Sequence, residues 1–281
     1  MASPAQGQGG TTSSSSTQTQ TLPFPLPLQD RVAIVTGSSR GIGRQIALHL
    51  SSLGARLVLN YSSSNSYPAD SLAAQINATS ASSALPQAIV VRADISDPTQ
   101  VRHLFDSAEN AFNSPVHILV NSAGTLDPKQ PSIADTSDES FDHVFAVNAR
   151  GAFLCAREAA NRLKRGGGGR IILLSSSQVA ALRPGFGAYT ASKAAVEAMT
   201  KILAKELKGT GITANCVAPG PIATELFFSS RTEEQVQKLI EESPMQRLGE
   251  TKDVAPLVGF LASDAGEWVN GQVIRVNGGY V

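Results

Sequence analysis

The chain has 281 residues, of which 42% are hydrophobic and 16% charged, enough apolar material for one α/β domain with a sizeable core. Its 23 basic residues equal its 23 acidic residues, which leaves no electrostatic case for nucleic acid or an anionic membrane as a partner. No apolar run approaches the ~18 residues of a membrane span, and two distant cysteines, Cys155 and Cys216, indicate neither disulfides nor a metal site. This composition predicts a soluble protein of a reducing compartment.

Residues 1–29 differ in composition from the rest of the chain. Ser, Thr, Gln, Gly and Pro dominate them, and Asp30 is the first charged residue. Such a segment cannot bury enough apolar surface to offset its ordering entropy, which predicts a disordered tail over 1–29 and one domain over 30–281. The expected location is the cytoplasm. A plastid is the alternative, because the tail is Ser-rich and acid-free like a transit peptide, although it lacks arginine.

From Arg31 onward, short apolar runs alternate with longer amphipathic segments. In chain order the predicted elements are strand 32–36, helix 41–53, strand 57–60, helix 69–79, strand 88–92, helix 98–112, strand 116–121, helix 138–165, strand 170–175, helix 188–208, strand 213–217, helix 251–262 and strand 272–276. This alternation is typical of βαβ units. It predicts an α/β fold, a single-domain Rossmann-type doubly wound parallel sheet with helices on both faces.

A glycine-rich turn, Thr-Gly-Ser-Ser-Arg-Gly-Ile-Gly at residues 36–43, lies where the first strand passes into the first helix. Glycines there permit a tight turn and let the backbone approach a pyrophosphate, whose charge then faces the helix N-terminus. This context predicts dinucleotide binding. The predicted contacts of the turn are Gly37, Ser39, Arg40, Gly41, Ile42 and Gly43.

The end of the second strand favours NADP(H) over NAD(H). NAD-binding folds place a carboxylate there to bind the ribose 2′-hydroxyl, whereas this chain has Asn60, Tyr61 and Ser62. An acid at this position would repel a 2′-phosphate, whereas these neutral side chains can donate hydrogen bonds to it. The planar cation of Arg40 also suits phosphate oxygens. The alternative is that Arg40 is a solvated surface charge and the missing acid an accident.

The spacing Thr-Gly-x-x-x-Gly-x-Gly resembles the short-chain dehydrogenase/reductase family. The resemblance covers Gln29 to Val281 and continues through Asp94-Ile95, Asn121-Ser122-Ala123-Gly124, Asn148, the Ser176/Tyr189/Lys193 set and Pro219-Gly220. It implies an adenine contact from Asp94, a ribose contact from 121–124, where the family usually has Asn in place of Ser122, and nicotinamide contacts from Ile222 and Thr224. The cofactor contacts implied in full are Asp94, Ile95, Asn121, Ala123, Gly124, Tyr189, Lys193, Pro219, Gly220, Ile222 and Thr224.

Asp94 has an alternative role as the cap of the following helix. Asp97, immediately before Pro98, suits that role better.

Tyr189 and Lys193 are four residues apart in a predicted helix, which puts both on one face with Cβ atoms ~5–6 Å apart. An ordinary tyrosine has a pKa of ~10, and a nearby ammonium would lower it. The resemblance implies that Tyr189 protonates a carbonyl oxygen as hydride arrives, that Lys193 also binds the nicotinamide ribose, and that Asn148 bends a helix and holds a relay water. The alternative for Tyr189 and Lys193 is a core tyrosine beside a surface lysine.

Three consecutive serines, Ser175, Ser176 and Ser177, compete for the substrate-oxygen contact of the family. Ser176 has the family's spacing from Tyr189, and strand alternation sends it to the opposite face from its neighbours. The predicted catalytic set is Asn148, Ser176, Tyr189 and Lys193, and the predicted substrate contacts are Ser176, Gln178 and Tyr189.

The pocket is predicted to be mainly apolar. In the family the segment after Pro219-Gly220 closes over the substrate, and here it contains Leu226-Phe227-Phe228, with Gln178, Leu182 and Phe186 as candidates for the opposite wall. The pattern resembles the branch with plant-type NADPH-dependent aldehyde reductases, 3-oxoacyl-carrier-protein reductases and naphthol reductases. The resemblance also implies a homodimer or homotetramer through helices 138–165 and 188–208.

The expected activity is an NADP(H)-dependent carbonyl reductase acting on an aldehyde or ketone. The alternatives are a non-catalytic NADP(H)-binding protein, because fold does not imply function, and an alcohol dehydrogenase or epimerase working in the oxidative direction. No metal site is expected, since the histidines show no ligand spacing. These are His49, His103, His117 and His143.

Overall fold

The computed structural model describes residues 1–3, 25–78 and 86–281. Most of the tail predicted over 1–29 therefore lies outside the described residues. Its C-terminal end differs from the prediction, because Leu28 is fully buried and its amide donates to Leu53 O at 2.8 Å. An apolar side chain this close to the first strand can pack into the hydrophobic core beside it. The packed domain therefore includes residues before Asp30.

Seven parallel strands form one sheet in the described part of the chain. They are β1 Val32–Thr36, β2 Arg56–Tyr61, β3 Ala88–Arg92, β4 Ile118–Asn121, β5 Gly169–Leu174, β6 Ile212–Pro219 and β7 Val273–Val276. The order across the sheet is β3-β2-β1-β4-β5-β6-β7, and every neighbouring pair is parallel. The strand order reverses between β1 and β4, where doubly wound sheets bind ligands. The predicted fold class is confirmed.

Helices connect the strands and cover the sheet. They are α1 Gly41–Ser52, α2 Tyr67–Ala78, α3 Pro98–Phe112, α4 Asp138–Phe145, α5 Ala152–Arg162, α6 Gln178–Ala181, α7 Gly187–Glu206, α8 Glu225–Phe228, α9 Glu233–Glu242 and α10 Thr251–Ala262. At the start of α3, Asp97 accepts hydrogen bonds from the amides of Thr99 and Gln100, so Asp97 is the cap of this helix. No helix in the described ranges has both the length and the apolar character needed to cross a membrane.

The single helix predicted over 138–165 is interrupted. A π-helical segment, Ala146–Gly151, separates α4 from α5. The wider turn brings Asn148 inward, where it is buried and hydrogen-bonds Thr125, and π-helical segments of this kind often occur at functional sites.

Two apolar clusters pack on opposite faces of the sheet. Alternate residues of β1 enter different clusters, Val32 and Ile34 on one side and Ala33 and Val35 on the other. Helices α3, α5 and α7 contribute to the first cluster, and α1, α2 and α10 to the second. With both faces covered, the open edge at the carboxyl ends of the strands is the place left for a ligand.

Candidate active site

The glycine turn after β1 packs too closely for side chains. A Cβ on Gly43 would lie 2.4 Å from Gly37 O, and one on Gly37, which has φ +61°, would lie 2.8 Å from Ala123 Cα. The following helix α1 begins at Gly41 with no side chain capping its first amides and no acid in its first turn. The turn therefore offers uncapped amides to an anion at this edge of the sheet.

The side chain of Asn60, at the end of β2, is used by the protein itself. Asn60 is buried, its Oδ1 accepts from Gly37 N at 3.3 Å, and its Nδ2 donates to Ala93 O at 2.9 Å. These bonds tie the glycine turn to the neighbouring strand β3. The cofactor contact predicted for Asn60 stays a prediction, and the half-buried Tyr61 and the exposed Ser62 lie at the same strand end.

Arg40 stands at the entrance to α1 with 75% of its side chain exposed. Its Nη1 lies 3.3 Å from a carboxylate oxygen of Glu225, which is equally exposed. Exposed ion pairs are worth about 0–1 kcal/mol, so this contact is readily exchanged for a phosphate. Residues 60–66 contain no acidic side chain that would oppose such an exchange.

The side chains of two more predicted cofactor contacts, Asn121 and Ile95, are buried within the protein. Asn121 is buried, and its Oδ1 accepts from Thr36 Oγ1 at 3.1 Å, while Thr36 Oγ1 accepts from Ala123 N at 3.1 Å. Ile95 is also buried, against the position where Gly151 has no side chain. The side chains of Asn121 and Ile95 are therefore used within the protein, and the predicted cofactor contacts of these two residues stay predictions for their backbone.

Asp94, Ala123 and Gly124 lie at the same edge of the sheet. Asp94 and Gly124 are exposed and Ala123 is half-buried. Asp94 Oδ1 accepts from the amide and the hydroxyl of Ser96 at 2.9 and 2.8 Å. Its second carboxylate oxygen has no such bond among the described residues.

The serine, tyrosine and lysine of the predicted catalytic set come together at the end of β5. Ser176 and Tyr189 line the same cavity, and Lys193 Nζ lies 5.9 Å from the centroid of the Tyr189 ring. The neighbouring serines are buried and point elsewhere, Ser175 Oγ to Glu197 at 2.8 Å and Ser177 Oγ to Ala218 O at 3.0 Å. As strand alternation predicts, the Ser176 side chain points to the opposite side from these two neighbours.

Asn148 and Lys193 both lie beside the segment 121–125. The Asn148 amide accepts from Thr125 N and donates to Thr125 O, both at 2.8 Å, and also donates to Ser192 Oγ at 3.1 Å. A Cβ on Gly124 would lie 3.3 Å from both Asn148 Oδ1 and Lys193 Nζ. Asn148 therefore fixes the backbone that runs past the lysine, and Gly124 leaves the lysine room.

Burial dominates the electrostatics of the tyrosine and lysine. Lys193 is 4% exposed and donates to Leu174 O at 2.8 Å, and its burial lowers its pKa to about 8. Burial raises the pKa of Tyr189, while the Ser176 hydroxyl and the charge of Arg231 act in the opposite direction. Arg231 is therefore a second cation near the phenol, in addition to Lys193.

Arg231 is a site residue that the sequence analysis missed. It lies between α8 and α9, where its Nη1 donates to Phe227 O at 2.8 Å. Its Cζ is 4.3 Å from the ring centroid of Phe227 and 5.5 Å from that of Phe186. The one available signal was a lone arginine closely following the apolar Leu226-Phe227-Phe228 run.

A cavity of about 470 Å³ opens beside Ser176 and Tyr189. The predicted residues that line it are Ile42, Ser176, Gln178, Phe186, Tyr189, Pro219, Gly220, Ile222, Thr224, Leu226 and Phe227. Gln178 has a buried side-chain oxygen without a hydrogen-bond partner among the described residues. Leu182 is 70% exposed because it ends α6 in a left-handed conformation, and Phe228 is also exposed, so neither lines the cavity and both predictions are corrected.

The described part of the chain brings no three His, Cys, Asp or Glu side chains together as a metal site. The chemistry offered by the cavity is hydroxyl, ammonium and guanidinium chemistry.

A family model, curated relatives and solved structures are all similar to this chain over most of its length. A family model described as enoyl-(acyl carrier protein) reductase matches residues 37–281. A chloroplastic NADPH-dependent aldehyde reductase-like protein of Arabidopsis thaliana is 68% identical over 258 residues, which cover 90% of this chain and 95% of the relative. A short-chain type dehydrogenase/reductase of Picea abies is 60% identical over 255 residues, covering 90% and 93%. The structure of a Burkholderia cenocepacia short chain dehydrogenase in complex with NADP matches with a TM-score of 0.82 at 34% identity, covering 90% of this chain and 99% of that one.

Proposed function

Because the chain belongs to the short-chain dehydrogenase/reductase family, we propose that it is an NADPH-dependent reductase of aldehydes or ketones. The observation that carries the proposal is the pair of hydroxyls, Ser176 and Tyr189, on the wall of a cavity of about 470 Å³. Two hydroxyls on the wall of such a cavity suit the binding and protonation of a carbonyl oxygen. The 68% identical relative is itself named an NADPH-dependent aldehyde reductase-like protein.

The residues of the strand edge fit NADP(H). A side chain on Gly37 or Gly43 would collide with neighbouring backbone in the glycine turn, so only glycine allows the turn to pack this closely. The uncapped first turn of α1 lies at the same edge of the sheet. Arg40 is the cation for the ribose 2′-phosphate, with Tyr61 and Ser62 as neutral neighbours. Asp94, Ala123 and Gly124 are the proposed contacts for the adenosine half, and Ile222 and Thr224 for the nicotinamide amide.

The dinucleotide, when bound, supplies the hydride. In the proposed reaction Ser176 donates a hydrogen bond to the carbonyl oxygen and Tyr189 donates its proton to that oxygen. Lys193, held by Leu174 O and beside Gly124, would bind the nicotinamide ribose, with its ammonium 5.9 Å from the centroid of the Tyr189 ring. Asn148 keeps the segment at Thr125 in place beside this lysine.

The protonated form of the tyrosine is the form that carbonyl reduction uses. Burial raises the pKa of Tyr189. A protonated phenol is the form that donates to an alkoxide, whereas alcohol oxidation requires the phenolate. The same cavity and hydroxyl pair argue against a non-catalytic NADP(H)-binding protein, which needs neither.

The test is the replacement Tyr189→Phe. We expect NADPH affinity to change little while the turnover of an aldehyde falls by at least ~100-fold, because the proton donor is lost. The matched control is Tyr280→Phe, which removes another hydroxyl from the wall of the same cavity and is expected to lower turnover far less. Undiminished turnover in Tyr189→Phe, with aldehyde consumption followed by NADPH absorbance, would remove Tyr189 from the mechanism.

The chloroplast is the proposed location. The support is the name of the 68% identical relative together with the Ser-rich, acid-free composition of residues 1–29. The cytoplasmic expectation has no comparable support. Fusing residues 1–29 to a fluorescent protein tests the proposal, and a cytoplasmic signal contradicts it.

A homodimer or homotetramer is the proposed assembly. Phe153 on α5 and Ile202 on α7 are exposed apolar side chains on the two helices that the family resemblance assigns to subunit contacts. Light scattering on the eluting protein measures the molar mass directly, and a monomer mass contradicts the proposal.

A further inference from the structure

The cavity beside Tyr189 is lined by cations. Among the described residues that form its wall are Arg183, Arg231 and Lys238, and none of the wall residues is acidic. The wall is otherwise apolar or carries neutral hydroxyl and amide groups. A neutral aldehyde needs no positive charge, so this distribution indicates a substrate with a negative charge of its own.

The three cations are not equivalent. Arg183 forms an ion pair with Glu242, so its charge is already balanced. Lys238 is exposed, where water stabilises its ammonium. Arg231 is half-buried and has no ion pair with a carboxylate among the described residues.

The surroundings of Arg231 hold its guanidinium without neutralising it. Nη1 donates to Phe227 O and to Ser230 Oγ, at 2.8 and 3.3 Å. The guanidinium carbon lies close to the rings of Phe227 and Phe186. Nε and Nη2 have no hydrogen-bond acceptor among the described residues and belong to a side chain on the cavity wall, so they are available to a ligand there.

The guanidinium and the reacting hydroxyl belong to the same wall. The Phe186 ring is close to both groups, 5.5 Å from Arg231 Cζ and 6.4 Å from the Tyr189 ring centroid. The charge of Arg231 also acts on Tyr189 directly, in the direction that lowers its pKa. A molecule that places its carbonyl at Tyr189 therefore has Arg231 within reach of a second group.

We propose that Arg231 binds a carboxylate of the substrate, so that the preferred substrates are short oxo acids that carry an aldehyde or ketone and a carboxylate. A carboxylate matches the planar fork of the free N–H groups of a guanidinium. An arginine without an ion pair offers one positive charge, which one singly charged anion neutralises. This inference rests on the proposed reductase function and names the class of its substrate.

The test compares 4-oxobutanoate with its methyl ester, which has the same aldehyde and chain but no charge. We expect the wild-type protein to prefer the acid in kcat/KM. In Arg231→Met, which keeps an unbranched stem against the two rings, we expect the ratio of acid to ester to fall by about 10- to 100-fold, the loss for a charged hydrogen-bonded pair. Arg231→Lys keeps the charge without the fork and is expected to retain part of the preference.

The control is Arg275→Met, which removes the same charge from an exposed position outside the cavity wall. It should leave the ratio of acid to ester as in the wild type. A wild type that reduces the ester as well as the acid would overturn the carboxylate assignment while leaving the reductase function intact. Equal losses for both compounds in Arg231→Met would also overturn it, because the arginine would then serve only to hold Phe227. Reduction of no aldehyde at all would overturn the proposed function and this inference with it.

Discussion

Replacing Lys193 by methionine removes a buried charge while keeping an unbranched side chain on α7. Burial lowers the pKa of Lys193 from 10.5 to about 8, and a shift of this size corresponds to about 3 kcal/mol of unfavourable free energy for the buried ammonium at neutral pH. The hydrogen bond from Nζ to Leu174 O returns about 1 kcal/mol. We therefore expect Lys193→Met to be more stable than the wild type by about 2 kcal/mol, or about 4–8 °C in Tm for a domain of this size.

The pH dependence of this difference follows from the same pKa. The folded protein releases the Lys193 proton at a pH of about 8, whereas the unfolded chain keeps it up to about 10.5, the ordinary pKa of lysine. Between these values the unfolded state binds more protons, so the free energy of unfolding of the wild type rises by up to about 1.4 kcal/mol per pH unit. The advantage of the variant is therefore full below pH 8 and is lost as the pH rises toward 10.5.

Urea denaturation of both proteins at a series of pH values measures the difference, since the other titrating groups cancel. Lys201→Met, on an exposed position of the same helix, is the matched control and should show no comparable change. The variant should also lose NADPH-dependent turnover, which would mark Lys193 as a residue kept for function at a cost in stability. A variant less stable than the wild type at neutral pH, or a difference that does not shrink as the pH rises, would refute the reasoning.

Two further replacements test the cofactor end. Arg40→Ala should weaken NADPH binding by about 10- to 100-fold and NADH binding much less, because the lost group is a charged partner of the 2′-phosphate; fluorescence titration measures both, and equal weakening contradicts the assignment. Asn60→Ala should lower the free energy of unfolding by about 2–4 kcal/mol, because Gly37 N and Ala93 O lose their partner in a buried position. Thermal denaturation measures that loss, and an unchanged Tm would show that Asn60 does not hold the turn.

The features that the sequence predicts well depend on short-range pattern. The bounds of β1, β3, α3 and α10 agree with the prediction, because apolar runs and helical caps are set by neighbouring residues. The opposite orientation of Ser176 from its two buried neighbours, Ser175 and Ser177, follows from the two-residue period of a strand. The juxtaposition of Tyr189 and Lys193 follows from helical spacing in the same way.

The features that the sequence does not predict depend on partners found across the fold. Asn60 and Asn121 stand at strand ends, where a ligand is expected, but each finds a closer partner within the protein, Gly37 in one case and Thr36 in the other. The π-helical segment around Asn148 requires the backbone of Thr125, which lies on a different connection. Local sequence pattern can place a polar residue at the carboxyl edge of the sheet. It does not determine whether that side chain bonds within the protein or faces a ligand.

Arg231 is also not predicted, because an arginine that follows a short apolar run is too weak a signal to mark a site. It also shows how the site divides its tasks. Ser176, Tyr189 and Lys193 lie on or directly after regular elements of the sheet layer, so their mutual geometry is fixed by the packing of α7 against β6 and β5. Arg231 lies on the connection between two short helices that cover the cavity, in the segment after Pro219. Because changes in that connection leave the sheet and its hydroxyl pair in place, substrate preference can change there without loss of the reaction.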